Sequence, residues 1–138
     1  NQQDVTLAFI SIDNLDGLEN KEEVYLQISR LLLNSFPSRN YIFEWESGYA
    51  LILPGSDLND SLKRMEKFRQ NILKNIFNKY RVSVSIGLSA LNRREVKYNA
   101  LMREASLALK KAIHEGKNQV IAFRADPEKY KKLQMKKI

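Results

Sequence analysis

Carboxylates are the side chains in this sequence best suited to chemistry, and two groups of them stand out. Asp13, Asp16 and Glu19 share one loop after an apolar run. Glu44 and Glu46 stand two apart in a second run, so a strand would point both to one face. Together with Asp13 they could gather a divalent cation, which needs several anionic oxygens. A solvated acidic turn and a polar strand face explain the same residues without chemistry. The loop also lacks the alternating oxygen ligands of an EF-hand. His114 is the only histidine, and a helix end favours its positive charge, so it reads as structural or solvated. Arg93, Arg94, Lys97 and Arg103 form a basic cluster. RNA-binding sheets need aromatic rings on their central strands for bases to stack on, and Val82–Leu88 has none. Phe9 alone is a weak substitute, so no nucleic acid is expected at that cluster.

The elements that must position these groups follow from hydrophobic spacing. Val5–Ile12 reads as a buried strand, and Asp13–Gly17 as a loop. Val24, Ile28, Leu31, Leu32 and Phe36 recur at helical spacing from about Lys21, and Pro37 closes that helix. Tyr41–Trp45 and Tyr49–Leu53 form two short strands around the turn Glu46-Ser47-Gly48, and Pro54-Gly55 ends the second. Ser56 or Asp57 caps a helix carrying Leu62, Met65, Phe68, Ile72, Leu73 and Ile76 on one face. Arg81–Ser89 alternates with period two, as a strand does. Asn99–His114 forms a helix that buries Leu101, Ala105, Ala108, Leu109 and Ala112, with Gly116 at its C′ position. Gln119–Phe123 is the last strand. The order β-α-β-β-α-β-α-β predicts an α/β (α+β) fold: a ferredoxin-like, palm-type core with a central five-stranded mixed sheet and helices on its faces.

A chain of 138 residues that is 43% hydrophobic fits one domain with a sizeable core. It has no cysteine, which excludes disulfides and thiolate metal sites. No apolar run approaches the roughly 20 residues that cross a bilayer. The first residue is Asn, so a piece of a longer protein is expected. Of the net charge of +7, the stretch Arg124–Ile138 supplies +4 from six basic and two acidic residues. Residues 1–124 are read as the domain, and 125–138 as a basic tail or helix leading out of it. Such a tail is a solvated terminus, or a contact for an anionic membrane or nucleic acid.

Three stretches, in order and at matching distances, resemble the GGDEF (diguanylate cyclase) family, while the chain between the first strand and the hairpin is several residues shorter than the family norm. Val82-Ser83-Val84-Ser85-Ile86-Gly87 follows the family's Val-Thr-Val-Ser-Ile-Gly strand. Ala105 through Asn118 follows its Ala-Asp-x-Ala-Leu-Tyr-x-Ala-Lys-x-x-Gly-Arg-Asn helix and turn, and Tyr49–Pro54 the strand leaving its hairpin. Val5–Ile12 stands where the family's Asp-x-Asp strand would. The resemblance implies the palm-type cyclase fold and a site where two divalent cations assist attack on a nucleoside triphosphate.

On that alignment, the residues that would do the work differ. The first metal-binding Asp falls on Ser11 and the Glu of the hairpin on Gly48, leaving Asp13 as the carboxylate of the first loop. The hairpin's two glycines fall on Trp45 and Glu46, and the guanine-recognising Asn on Glu19. The phosphate-binding Lys falls on Ile113, while Lys117 keeps a basic group at the neighbouring Arg position. The product-binding Arg-x-x-Asp would fall on Phe36-Pro37-Ser38-Arg39.

The resemblance therefore implies a degenerate GGDEF domain of a bacterial signalling protein, not an enzyme, with no cofactor or metal. It would act in regulation, dimerisation or protein contact, with flanking domains of its own polypeptide or a second copy as partners. A cytoplasmic location is implied, or the cytoplasmic part of a membrane-anchored protein, with membrane contact only through a tether or the basic tail. Asp13 and Lys117 would be remnants of nucleotide binding. Trp45, Glu46, Ser47, Gly48 and Tyr49 would form the altered hairpin and an interaction site. Trp45 at the tip could anchor a partner, or its ring could fold over the vacated nucleotide pocket. Two alternatives stand beside this reading: a nucleotide-binding or weakly active domain with a rearranged site at Asp13, Glu44, Glu46 and Lys117, and a nucleic-acid or anionic-membrane binder acting through the tail.

Overall fold

The computed structural model describes residues 4–37 and 41–124. The basic tail, and Ser38 and Arg39 of the Arg-x-x-Asp comparison, lie outside the described residues. Five strands and three helices follow the expected order: β1 (Val5–Ile12), α1 (Lys21–Ser35), β2 (Ile42–Trp45), β3 (Gly48–Pro54), α2 (Leu58–Lys74), β4 (Val84–Ala90), α3 (Tyr98–His114) and β5 (Gln119–Ala122). A single 3-10 turn, Leu15–Gly17, precedes α1.

The strands form one mixed sheet in the order β2-β3-β1-β4-β5. β1 lies at its centre, antiparallel to both β3 and β4, while β4 and β5 run parallel. Strands β3 and β4 therefore share a direction, and α2 is the crossover between them. Central β1 is apolar on both sides because both are covered. Ala8, Ile10 and Ile12 join Val24, Ile28 and Leu32 of α1 and Met65, Phe68 and Ile72 of α2 in the larger core. Leu7 and Phe9 face the other way, toward Leu101 and Ala105 of α3. That packing is close where α3 crosses β4: a Cβ on Gly87 would lie 2.2 Å from the Leu109 backbone nitrogen. Only glycine lets the helix sit so near the strand.

The boundaries show why local chemistry ends each element. Asp57, not Ser56, caps α2, its carboxylate accepting from the Asp60 N–H at 2.8 Å. Ser56 Oγ instead donates to Asp60 Oδ2 at 2.6 Å. Ile76 is not on the buried face of α2, as its spacing predicted. The helix stops at Lys74, the Asn75 amide donates back to the Asn71 carbonyl at 2.7 Å, and Ile76 is exposed. Helix α3 ends with Gly116 at C′, and the Lys117 N–H donates to the Ala112 carbonyl at 2.9 Å. The turn between β2 and β3 is Glu46-Ser47 alone. Gly48, expected in the turn, is the first residue of β3 and pairs with Trp45.

Candidate functional site

β1 ends in the acidic loop, and the structure separates the members of that loop. Asp13 is buried, with its carboxylate turned inward. Oδ1 accepts from Ser85 Oγ at 2.7 Å, and Oδ2 accepts from Ser83 Oγ at 2.7 Å and from the Asn118 backbone N–H at 3.1 Å. The Asp13 N–H donates to the Ser83 carbonyl at 3.0 Å. One carboxylate thus ties the end of β1 to the start of β4 and to the α3–β5 turn. Three of its roughly four acceptor positions are taken within the protein. Asp16 and Glu19 stay in solvent, and Asp16 meets only Lys21, at 3.4 Å. Lys117 comes close to the same loop, its ammonium donating to Asn14 Oδ1 at 2.8 Å.

The hairpin places its residues on different faces. Trp45 lies flat on Phe9, ring centroids 5.1 Å apart and planes 7° from parallel, while 39% of the residue stays exposed. Tyr49 was expected with the tip as part of an interaction site. It is instead 3% exposed, because it shares a face with Leu51 and Leu53, which point into the larger core. Its ring stacks on Tyr25 at 5.1 Å, and its hydroxyl shares a 2.6 Å hydrogen bond with Ser29 Oγ and donates to the Tyr25 carbonyl at 3.2 Å. Burial pushes the Tyr49 phenol well above the usual tyrosine range, although the Ser29 bond opposes this. Tyr25 is also raised, first by burial and then by the nearby Glu44 carboxylate. Glu44 therefore belongs to the α1 side of the sheet.

Gly48 is pressed against β1. A Cβ there would lie 1.8 Å from the Ile10 carbonyl oxygen and 3.0 Å from Ser11 Cα. Any side chain at this position would displace the backbone of the central strand. In front of Gly48 opens a cleft of about 340 Å³ between the hairpin and α3, lined by Ser11, Trp45, Glu46, Ser47, Ser106 and Lys110 among others. Its walls carry one carboxylate, Glu46, and one ammonium, Lys110. Of Asp13, Glu44, Glu46 and Lys117, the cleft holds Glu46 alone. Among the described residues, no three histidine, aspartate or glutamate side chains gather as a metal site.

Trp45 is also the wall of a second hollow, again of about 340 Å³ and almost wholly apolar, with Leu7, Phe43, Ile52, Tyr98 and Met102. The ring separates a cleft of mixed lining, with Glu46 and Lys110 in its walls, from an apolar one. The ring lies down on the sheet and remains accessible.

The basic cluster divides as well. Arg94 is not a free cation. Its guanidinium meets Glu104 at 2.7 and 3.0 Å and donates to the Ala90 carbonyl at 2.6 Å, fixing the loop before α3. Burial opposes ionisation of Glu104, but the hydrogen bonds from Arg94 and Ser89, with the charges of Arg94 and Arg103, outweigh it and hold the carboxyl below its usual range. Arg93, Lys97 and Arg103 remain exposed. Sequence reasoning missed both the Ser89–Glu104–Arg94 link and the two-serine clasp on Asp13. The serines at 83, 85 and 89, on the strand face that α3 covers, were the available signal.

No protein-family model matches the chain, and no curated protein matches it. Solved structures do. The active GGEEF domain of a diguanylate cyclase from Vibrio cholerae superposes with a TM-score of 0.79 at 18% identity, covering 90% of this chain and 85% of that one. The GGDEF domain of DgcB from Caulobacter crescentus, solved in complex with c-di-GMP, gives 0.79 at 18% identity over 88% and 79%. Diguanylate cyclase SiaD from Pseudomonas aeruginosa, solved with its activator SiaC, gives 0.74 at 20% identity over 87% of this chain and 50% of that one. The chain has the palm-type fold of GGDEF domains.

Proposed function

We propose that this chain is a GGDEF-type domain that has given up catalysis and serves as a regulatory, dimerising or protein-contact module of a bacterial cyclic di-GMP signalling protein. The cytoplasm is where that role places it, beside flanking domains of the same polypeptide. The single observation that carries the reading is the packing of Gly48 against the Ile10 carbonyl. The family resemblance puts a metal-binding glutamate at that position, and there is no space for one. The other anionic oxygens do not compensate. Ser11 offers a hydroxyl, and Asp13 is spent on Ser83, Ser85 and Asn118. A small divalent cation dehydrates reluctantly and needs carboxylates in return, so the residues present do not fit the two cations of the family. SiaD, half of which this chain covers, was solved in complex with its activator, which makes a protein partner a reasonable expectation for this reading.

The test is a titration of the chain with GTP and ATP, with Mg²⁺ or Mn²⁺, followed by Trp45 fluorescence and melting temperature. Trp45 lines the cleft that a nucleotide would enter, so its emission reports occupancy directly. The expected result is no change in either signal. Saturation at 100 Kd would stabilise the fold by about 2.7 kcal/mol, and a shift of that size that needs the cation would overturn the proposal.

A further inference from the structure

The outer edge of β2 is open. Among the described residues nothing pairs with it, and its residues are mostly exposed, with Phe43 at 49%. Natural sheets protect such edges with lysine, proline or a bulge. The run Ile42-Phe43-Glu44-Trp45 is short and carries one charge, Glu44, but it has no lysine, proline or bulge. Its outward hydrogen-bonding groups follow from the hairpin. The two-residue turn makes Trp45 and Gly48 a bonded pair, and the antiparallel alternation then turns Phe43 inward to Ala50. The N–H and C=O of Ile42 and Glu44 are left pointing out.

We propose that β2 is a homodimer contact: two copies join edge to edge, antiparallel, about a two-fold axis at Phe43, making one continuous ten-stranded sheet. The partner is a second copy because the edge is complementary to itself in the register centred on Phe43. A two-fold axis perpendicular to the sheet sets Phe43 against Phe43 as a non-bonded pair, where side chains approach most closely. Ile42 of each copy then exchanges both hydrogen bonds with Glu44 of the other, using the groups that point outward. The register centred on Glu44 sets two carboxylates directly opposite each other, which is destabilising, and reaches into the turn, where Glu46 has a positive φ of 53°. The contact is isologous, as closed dimers require. It is also short, so the dimer is weak and concentration-dependent. The idea rests on reading the chain as an interaction module, but its test involves no nucleotide, so the two can fail separately.

The chain has no cysteine, so single cysteines can be placed at the edge. In the proposed register the two Phe43 Cα atoms approach to about 4.5 Å, within disulfide reach. F43C should cross-link to itself under mild oxidation. I42C and E44C should each remain monomeric alone and form a mixed disulfide when combined. F43K, at a half-exposed site, should keep its melting temperature yet abolish the concentration-dependent dimer that sedimentation equilibrium detects in the unaltered chain. The proposal is overturned if the unaltered chain stays monomeric up to about 1 mM. Equal cross-linking at positions 42, 43 and 44, preferential cross-linking of E44C, or an undiminished F43K dimer would each overturn it too.

Discussion

Replacing Asp13 with alanine separates a structural clasp from a vestigial ligand. The carboxylate accepts three hydrogen bonds from Ser83, Ser85 and Asn118, all from groups more than 60 residues away in sequence. A hydrogen bond to a charged group contributes about 1.5–3 kcal/mol. Three would sum to about 4–9 kcal/mol if additive, but groups sharing one partner are not additive. Water can also reach the serine hydroxyls once the side chain is cut back, so the expected loss for D13A is about 3–5 kcal/mol. Against a total of about 5–15 kcal/mol for a domain, that is a large fraction. Urea unfolding followed by far-UV circular dichroism reads it as a fall in midpoint at constant slope. D13N should fall between D13A and the parent chain. Its amide keeps one acceptor oxygen for Ser85 or Ser83, but presents N–H groups to the remaining donors. A residue kept for a vanished chemistry would behave differently, since removing buried charge from an idle site leaves stability unchanged or improves it. A loss below about 1 kcal/mol for D13A would refute the clasp.

Glu104 makes stability depend on pH. Its folded-state carboxyl is held below the ordinary range, so it contributes stability that is fully present above the unfolded value of about 4.3 and is lost as pH falls through the depressed folded value. Urea midpoints measured from about pH 6 down to about pH 3 should therefore decline less steeply for E104Q than for the parent chain. Gly87→Ala would place a methyl 2.2 Å from the Leu109 nitrogen and 2.4 Å from the Ala105 carbonyl, both backbone atoms that cannot swing aside. A loss of at least about 1–3 kcal/mol is expected, seen as a lower melting temperature.

What the sequence disclosed and what it hid divide along the range of the interactions. Strand and helix order came through because each element carries its own period, and Leu7/Phe9 against Ala8/Ile10/Ile12 marks a strand covered on both faces. Tyr49 was misplaced by proximity to a turn, although parity with Leu51 and Leu53 already put it in the core. Gly48 looked like a turn residue because glycine usually is one near a hairpin, whereas here it answers to the Ile10 carbonyl of another strand. The ring-on-ring contact of Trp45 with Phe9 and the clasp on Asp13 join residues 36 to 105 positions apart, and no local pattern encodes them. The candidate site is built mainly from such long-range contacts, so less of it than of the fold could be read.

The residues at the two ends of the hairpin have opposite physical consequences. At position 48 the absence of a side chain lets β3 lie tight against β1, and that gain in packing closes the place where a carboxylate would stand. At position 45 a large side chain fills space that a nucleotide-binding backbone needs open, and stacking on Phe9 fixes it there. Each residue favours the sheet over the cleft. The same indole leaves aromatic surface, Phe43 with Trp45, partly exposed beside an apolar hollow, and aromatic side chains carry much of the energy of protein contacts. On the proposed reading, loss of chemistry and gain of an adhesive edge would be two results of one exchange of side chains, and the hairpin is where an assay for either should be placed.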